Sequence, residues 1–134
     1  MALTFLDAGV LIAAFKGGTT QADRAIRILD DGSREFAASV FLRLEVLPKP
    51  VYERRRTEIE FYESFFRSVA LWATVDAKLI DTAYDAATKH GLAAMDALHV
   101  AAAELLGVSE FVTTESPTKP LFRIRSMRIS SIRV

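Results

Sequence analysis

Two isolated acidic residues interrupt apolar segments of the chain. Asp96 stands within the mostly apolar, helix-forming residues 92–103, and Asp7 separates the apolar residues 3–6 from residues 8–12. A carboxylate in apolar surroundings costs several kcal/mol unless it is paired, hydrogen-bonded or bound to a cation. We therefore expect both acids to face a polar partner, and a metal cation is the partner that gives them a chemical task.

Two further acids complete a candidate set. Glu45 lies in a helical segment that follows Ser39, and Glu115 comes directly after a short apolar strand. If the fold gathers all four carboxylates, they offer the oxygen ligands that Mg²⁺ or Mn²⁺ prefers. A metal held in this way makes a bound water a stronger nucleophile and neutralises charge on a transferring phosphoryl group. The predicted chemistry is attack of a metal-activated water on a phosphoryl group.

Each of these residues also has a structural interpretation. Asp7 and Asp96 could cap helices, and Glu45 and Glu115 could be solvated surface residues. His99 could share a helix face with Asp96 as a metal ligand, but we favour a hydrogen-bonded core histidine.

The elements that must position these acids alternate between strands and helices. The predicted strands are residues 3–6, 35–38, 71–75 and 110–113, and the tail 122–134 is expected to be extended. The predicted helices are residues 10–15, 20–29, 40–47 with Ser39 as a possible N-cap, 52–69, 77–89 with Asp76 as N-cap, and 95–106, with Pro48 and Pro50 ending the third. Such alternation implies parallel pairing, hence a three-layer α/β/α sandwich around a mainly parallel sheet of four to five strands. Ligands of such sheets bind beyond the carboxyl ends of the strands, where Asp7 and Glu115 are expected.

Composition limits the classes of protein to consider. The 134 residues suit a single domain, residues 1–134, and the 51% hydrophobic content argues against disorder. With 17 basic and 17 acidic residues, no global field attracts nucleic acid, so local patches must do so. The absence of cysteine, of a signal-peptide pattern and of a membrane-length apolar segment predicts a soluble, cytoplasmic protein.

Four segments resemble the motifs of the PIN-domain family, the metal-dependent nuclease fold that includes VapC-type toxins. They are Phe5-Leu6-Asp7-Ala8, residues 39–46, residues 95–103, which is the most specific match, and Val112-Thr113-Thr114-Glu115. The resemblance spans nearly the whole chain. It implies that Asp7, Glu45, Asp96 and Glu115 are the catalytic and metal-binding residues, with Thr113 or Thr114 orienting a carboxylate or a water. It further implies an endoribonuclease that uses Mg²⁺ or Mn²⁺, a cognate antitoxin that occludes the acidic pocket, and a homodimer.

Two departures from the family pattern support other functions. Gly9 stands where many PIN sequences carry Asn or another polar residue, and Glu115 stands where Asp is usual. They motivate an alternative, a catalytically weakened PIN module that binds nucleic acid or a protein partner without cleavage. A phosphotransfer enzyme with Asp7 as nucleophile is a third hypothesis, which Gly9 disfavours because haloacid-dehalogenase-like phosphatases carry a second Asp there.

Two kinds of side chain could contact partners. The basic run Arg54-Arg55-Arg56, and Arg123 with Arg125 on one face of an extended tail, could follow a phosphate backbone. Ion pairs with Glu53, Glu58 and Glu60 are an equally good interpretation of the first run. The aromatic residues Phe61, Phe65, Phe66 and Trp72 are expected in the core or at an interface.

Overall fold

The computed structural model describes residues 2–134, and its centre is one sheet of parallel strands. Within that range the strands are β1 Ala2–Leu6, β2 Arg34–Ala38, β3 Leu71–Trp72, β4 Glu110–Thr113 and β5 Arg128–Ser131. Their order across the sheet is β3-β2-β1-β4-β5, and every neighbouring pair is parallel. The chain therefore moves outward from β1 to β3 and then returns to the other side of β1. The strand order reverses between β1 and β4, and ligands of open α/β sheets bind at such a point.

Helices connect the strands throughout the described residues. They are α1 Ala8–Lys16, α2 Thr20–Leu29, α3 Val40–Val46, α4 Pro48–Tyr52, α5 Arg56–Ser68, α6 Ala77–His90 and α7 Ala94–Leu106, with a 3₁₀ turn at Pro120–Arg123. Interactions of neighbouring residues explain where several helices begin or end. Asp76 accepts a hydrogen bond from the Leu79 amide at 3.0 Å and so caps α6 as predicted. Gly107, with φ of 69°, ends α7 in the left-handed conformation that glycine favours.

Two apolar cores lie on opposite faces of the sheet, because successive strand residues point in opposite directions. Phe5 and Phe111 stack at 5.3 Å in the core covered by α6 and α7. Leu6 and Val112, the next residue of each strand, belong to the second core, beneath α1, α2, α3 and α5. Both faces are thus covered, and the predicted three-layer α/β/α sandwich is confirmed.

The second core also contains most of the aromatic cluster. Tyr62, Phe65 and Phe66 are buried and Phe61 packs against them, so the core interpretation holds for α5 and the interface interpretation does not. Trp72 lies on the edge strand β3 and is 41% exposed.

The structure differs from the local predictions at three places. Helix α3 ends at Val46, before the prolines as predicted, but a short helix α4 that was not predicted follows, because Pro48 occupies its first turn, where a missing N–H has no cost. The third strand is two residues long instead of residues 71–75. Arg123 lies in the 3₁₀ turn and donates to the His90 carbonyl at 3.0 Å, so it does not share a strand face with Arg125.

No helix in residues 2–134 is long and apolar enough to cross a membrane.

Candidate active site

Asp7 and Thr113 meet where the adjacent strands β1 and β4 end. The register pairs Leu6 with Val112, and the Asp7 amide donates to the Val112 carbonyl at 3.1 Å. The Thr113 hydroxyl, which is fully buried, donates to the Asp7 carboxylate Oδ2. The same hydroxyl oxygen accepts from the Glu115 amide at 3.0 Å. Thr113 therefore fixes both the Asp7 side chain and the backbone turn that carries Glu115.

Asp7 occupies an unfavourable place for an ionised carboxylate. Burial raises the pKa of its carboxyl from 3.8 to about 6, against the opposing hydrogen bonds from Thr113 and the Val10 backbone. Its second oxygen, Oδ1, is buried and has no hydrogen-bond partner. An orphaned carboxylate oxygen in a desolvated place is stabilised by a cation or by a proton.

Asp96 connects the four predicted acids electrostatically. It lies in the first turn of α7, whose N-cap position is held by Ala93, so helix capping does not explain it. Burial raises the pKa of the Asp96 carboxyl, and repulsion from Glu115 and Glu45 adds to that increase. Asp96 in turn raises the pKa of Asp7. Asp96 thus lies within electrostatic range of each of the other three carboxylates, which are distant from it in sequence.

Glu45 is held by a side chain from another helix. His99 of α7 is 2% exposed, and its Nε2 atom contacts the Glu45 carboxylate. The predicted hydrogen-bonded core histidine is therefore confirmed, with a candidate site residue as its partner. The sequence showed His99 near Asp96 but contained no signal for the pairing with Glu45, since only the packing of α3 against α7 creates it.

Unpartnered buried polar atoms concentrate at this end of the sheet. Within residues 2–134, they are Asp7 Oδ1, Ser39 Oγ and His99 Nδ1. Ser39 occupies the predicted N-cap position of α3, but its side chain makes no capping hydrogen bond. The sequence predicted none of these vacant hydrogen-bonding positions.

Whether the site suits a divalent cation depends on the chemistry of its ligand atoms and on how those atoms are arranged. The donors are carboxylate oxygens, one of them orphaned and buried, and such oxygens suit a hard cation. Across residues 2–134, however, no three Asp, Glu or His side chains form a group that could hold one ion. Glu45 contacts His99 and Asp7 contacts Thr113. The donor chemistry fits a metal, whereas the side chains as described do not form a closed set of ligands.

Thr114 fills the place where a side chain at position 9 would lie. A Cβ atom on Gly9 would stand 2.3 Å from the Thr114 Oγ1 and 3.2 Å from its Cγ2. Real Cβ contacts are essentially never so short. A side chain at position 9 and the Thr114 side chain in its present position therefore exclude each other. Gly9 is therefore a packing partner of Thr114, a relationship that the sequence did not reveal.

Two pockets open beside the acids, and each contains lysine. A pocket of about 250 Å³ is lined by Asp96 and Glu115, together with Lys119. A second pocket of about 160 Å³ is lined by Glu45 and by basic residues, which are Lys16, Lys49 and Arg55. The sequence analysis did not single out the lysines, because isolated lysines form no motif.

The predicted basic run Arg54-Arg55-Arg56 is exposed and leads from the end of α4 into α5, whose first residue is Arg56. Arg55 lines the Glu45 pocket but forms ion pairs with Glu53 and with Glu58, the latter at 3.3 Å. For Arg55 the structure thus supports the ion-pair interpretation. Arg54 has a φ of 55°, the left-handed conformation that turns the chain into α5.

Comparison with known proteins gives the family and the fold. The family model described as PIN domain matches residues 4–116. No protein of curated function matches the sequence. Among solved structures, the chain is similar to VapBC2 from Rickettsia felis bound to a DNA fragment from its promoter, with a TM-score of 0.71 and 13% identity over 96% of this chain and 98% of that one.

Two further structures have the same architecture. VapBC from Salmonella typhimurium, also bound to DNA, gives a TM-score of 0.68 and 15% identity over 98% of this chain and 99% of that one. A toxin-antitoxin complex from Klebsiella pneumoniae gives 0.67 and 18% over 95% of each chain. At these identities the likeness establishes the fold alone.

Proposed function

Because the chain belongs to the PIN-domain family, we propose that it is a divalent-metal-dependent endoribonuclease, the toxin of a toxin–antitoxin pair, which acts in the cytoplasm. The observation that best supports this proposal is the electrostatic interaction of the Asp96 carboxyl with those of Asp7, Glu45 and Glu115, with Asp7 at the end of β1, where the strand order reverses. Like charges are costly to collect in a partly buried place, and a cation offsets that cost.

Asp7 and Asp96 would hold the metal, with Glu45 and Glu115 completing the set. Asp7 brings the orphaned oxygen, and Asp96 is the acid that interacts electrostatically with each of the other three. Bound Mg²⁺ or Mn²⁺ would supply an activated water and neutralise charge on the phosphoryl oxygens. The protein's own contribution is to hold the carboxylates, through the Thr113 hydroxyl at Asp7 and the His99 imidazole at Glu45.

An antitoxin is the protein partner in this proposal. The structural relatives from Rickettsia felis and Salmonella typhimurium are VapBC structures, and that from Klebsiella pneumoniae is a toxin-antitoxin complex. Next to Glu45, the helices α3 and α4 expose apolar side chains that include Leu44, 61% exposed, and Tyr52, 88% exposed. Large exposed apolar residues beside a polar site are typical of a protein interface. An antitoxin segment bound there would cover the acidic pocket.

The homodimer remains a prediction. The aromatic residues of α5 are buried and do not form its interface, but the edge strand β3 exposes Leu71 and Trp72, and Val75 follows them. Sedimentation velocity would test it: a dimer that Trp72→Glu dissociates would place the interface at β3.

A weakened module that binds nucleic acid or a protein without cleavage is the second candidate. The absence of a closed ligand set within the described residues favours it. Metal titration separates the two candidates, because a working nuclease site must bind Mn²⁺ and a disabled one binds it weakly or not at all.

The direct test is hydrolysis of an RNA containing unpaired regions, with Mn²⁺ and with EDTA. We expect cleavage with Mn²⁺ that EDTA abolishes, and a loss of at least a hundredfold in Asp96→Asn. Asp81→Asn is the matched control, since Asp81 is an exposed acid of α6. Cleavage that persists unchanged in Asp96→Asn would remove the proposed active site.

A further inference from the structure

Three of the four proposed site acids line two lysine-bearing pockets that share no lining residue. Asp96, Glu115 and Lys119 line one pocket. Glu45, Lys16 and Lys49 line the other. We propose that these three lysines bind the phosphates on either side of the scissile bond of a single-stranded RNA. This inference rests on the proposed nuclease function and assigns the path of its substrate.

The charge balance of the chain requires such local cations. The 17 basic and 17 acidic residues cancel, so the protein as a whole does not attract a polyanion. Four gathered carboxylates repel a phosphate at short range. An RNA strand can reach them only if cations next to the acids offset that repulsion.

The charges of the three lysines are available to bind a phosphate, whereas the charge of Arg55 is already paired. Within residues 2–134, Lys16, Lys49 and Lys119 form no ion pair and are exposed. Arg55, in the same pocket as Lys16 and Lys49, already has two carboxylate partners. A phosphate that contacts the lysines releases counterions without first breaking an ion pair.

Rigid elements fix the lysines relative to the acids. Lys16 is the last residue of α1, the nine-residue helix that starts directly after Asp7, so the two backbones are roughly 13 Å apart along the helix. That length corresponds to about four stacked nucleotides of one strand. Lys49 lies between Pro48 and Pro50 in α4, where the fixed proline φ angles limit backbone motion.

The recessed position of Asp7 favours an unpaired strand over a duplex. Asp7 Oδ1 is buried, so a reacting phosphate must be drawn inward from the surface to approach it. A single strand can bend into such a recess, because its backbone is not held by base pairing. Electrostatic grooves that follow a flexible backbone are typical of single-strand binding.

The test is the salt dependence of RNA binding, measured by fluorescence anisotropy in EDTA so that no metal-dependent cleavage occurs. The probe is a short unstructured RNA, and a blunt RNA duplex is compared with it. The variants are Lys16→Gln/Lys49→Gln and Lys119→Gln, with Lys78→Gln/Lys89→Gln of α6 as the matched control. Melting curves verify that each variant is folded.

Each lost phosphate contact should reduce the slope of log K against log salt by about 0.7. We expect a reduction of about 1.4 for the first double variant, about 0.7 for Lys119→Gln and none for the control. Slopes equal to the wild-type value, no RNA binding by the wild type, or the same loss with the control would overturn the inference. Equal effects on the duplex would overturn its single-strand part.

The nuclease function and the path of the RNA substrate can be contradicted independently of each other. A wild-type protein that binds RNA through these lysines and never cleaves it with Mn²⁺ contradicts the nuclease function alone. A protein that cleaves RNA while its lysine variants bind as the wild type does contradicts the substrate path alone.

Discussion

The imidazole of His99 contacts the carboxylate of Glu45, which joins a buried residue of α7 to a partly exposed acid of α3. His99 packs against Phe5 with ring centroids 5.7 Å apart, so its orientation is set by the core. It can therefore hold Glu45 in a defined direction. Side chains that orient metal ligands in this way typically affect metal affinity or activity by 10- to 100-fold.

Replacing His99 should weaken the site without unfolding the protein. We expect His99→Phe, which can still pack against Phe5, to lower the Mn²⁺ affinity and the kcat for RNA cleavage at least tenfold. His99→Gln, which keeps a donor, should recover part of the loss. Calorimetric titration and cleavage kinetics measure both. If the two variants behave as the wild type, Glu45 does not depend on His99.

Asp7 should make the stability of the metal-free protein depend on pH. The pKa of its carboxyl is about 6 in the folded protein and near 3.8 when exposed, so folding favours the protonated form. This stabilisation is fully present below about pH 4 and is lost as the pH rises through 6. At pH 7.5 the ionised group then costs up to roughly 3 kcal/mol.

Asp7→Asn should accordingly raise the melting temperature in EDTA at pH 7.5 and lose that advantage below about pH 4. A Mn²⁺ concentration that saturates the wild type should stabilise it more than it stabilises Asp7→Asn. Differential scanning calorimetry over this pH range measures the effect, with Asp81→Asn as the control. A lower stability of Asp7→Asn at neutral pH, or a difference independent of pH, would show that Asp7 is already satisfied.

The Thr113 hydroxyl should support both the fold and the site. Thr113→Val keeps the shape but removes the donor to Asp7 and the acceptor for the Glu115 amide. We expect a loss of about 1–3 kcal/mol in the free energy of unfolding, because a buried N–H is left unpaired. Thr113→Ser, which retains the hydroxyl, should lose less. Urea unfolding curves that give equal losses for both variants would assign the effect to packing.

Gly9 and Thr114 should show strong mutual dependence. Gly9→Ala places a methyl group against the Thr114 side chain and should destabilise the protein by about 1–3 kcal/mol. Thr114→Ala removes the colliding atoms, so the double variant should recover most of that loss. A double-mutant cycle from urea unfolding measures the coupling. If the losses of the two single variants simply add in the double variant, the loss in Gly9→Ala does not come from contact with Thr114.

The sequence predicted the parts of this protein that depend on local patterns. The predicted bounds of α2 and β4 match the structure, and the α6 cap at Asp76 is confirmed, because helical periodicity, strand propensity and capping act within a few residues. The apolar surroundings of Asp7 and Asp96 indicated two of the four proposed site acids, and the motif resemblance indicated Glu45 and Glu115.

Other features depend on contacts between distant segments. The Glu45–His99 contact needs the packing of α3 against α7, and the exclusion of a side chain at Gly9 needs Thr114 from the end of β4. Lys16, Lys49 and Lys119 acquire their place beside the acids only when three separate segments meet. The extended tail was expected, but its pairing as β5 with β4 is a tertiary event.

The central claim is that Asp7, Glu45, Asp96 and Glu115 hold one catalytic cation site, and calorimetric titration with Mn²⁺ tests it most directly. The account predicts saturable binding to the wild type, weakened at least tenfold in Asp7→Asn and in Asp96→Asn and unchanged in Asp81→Asn. A wild-type protein that binds no Mn²⁺, or binds it equally well after either site substitution, would contradict the account.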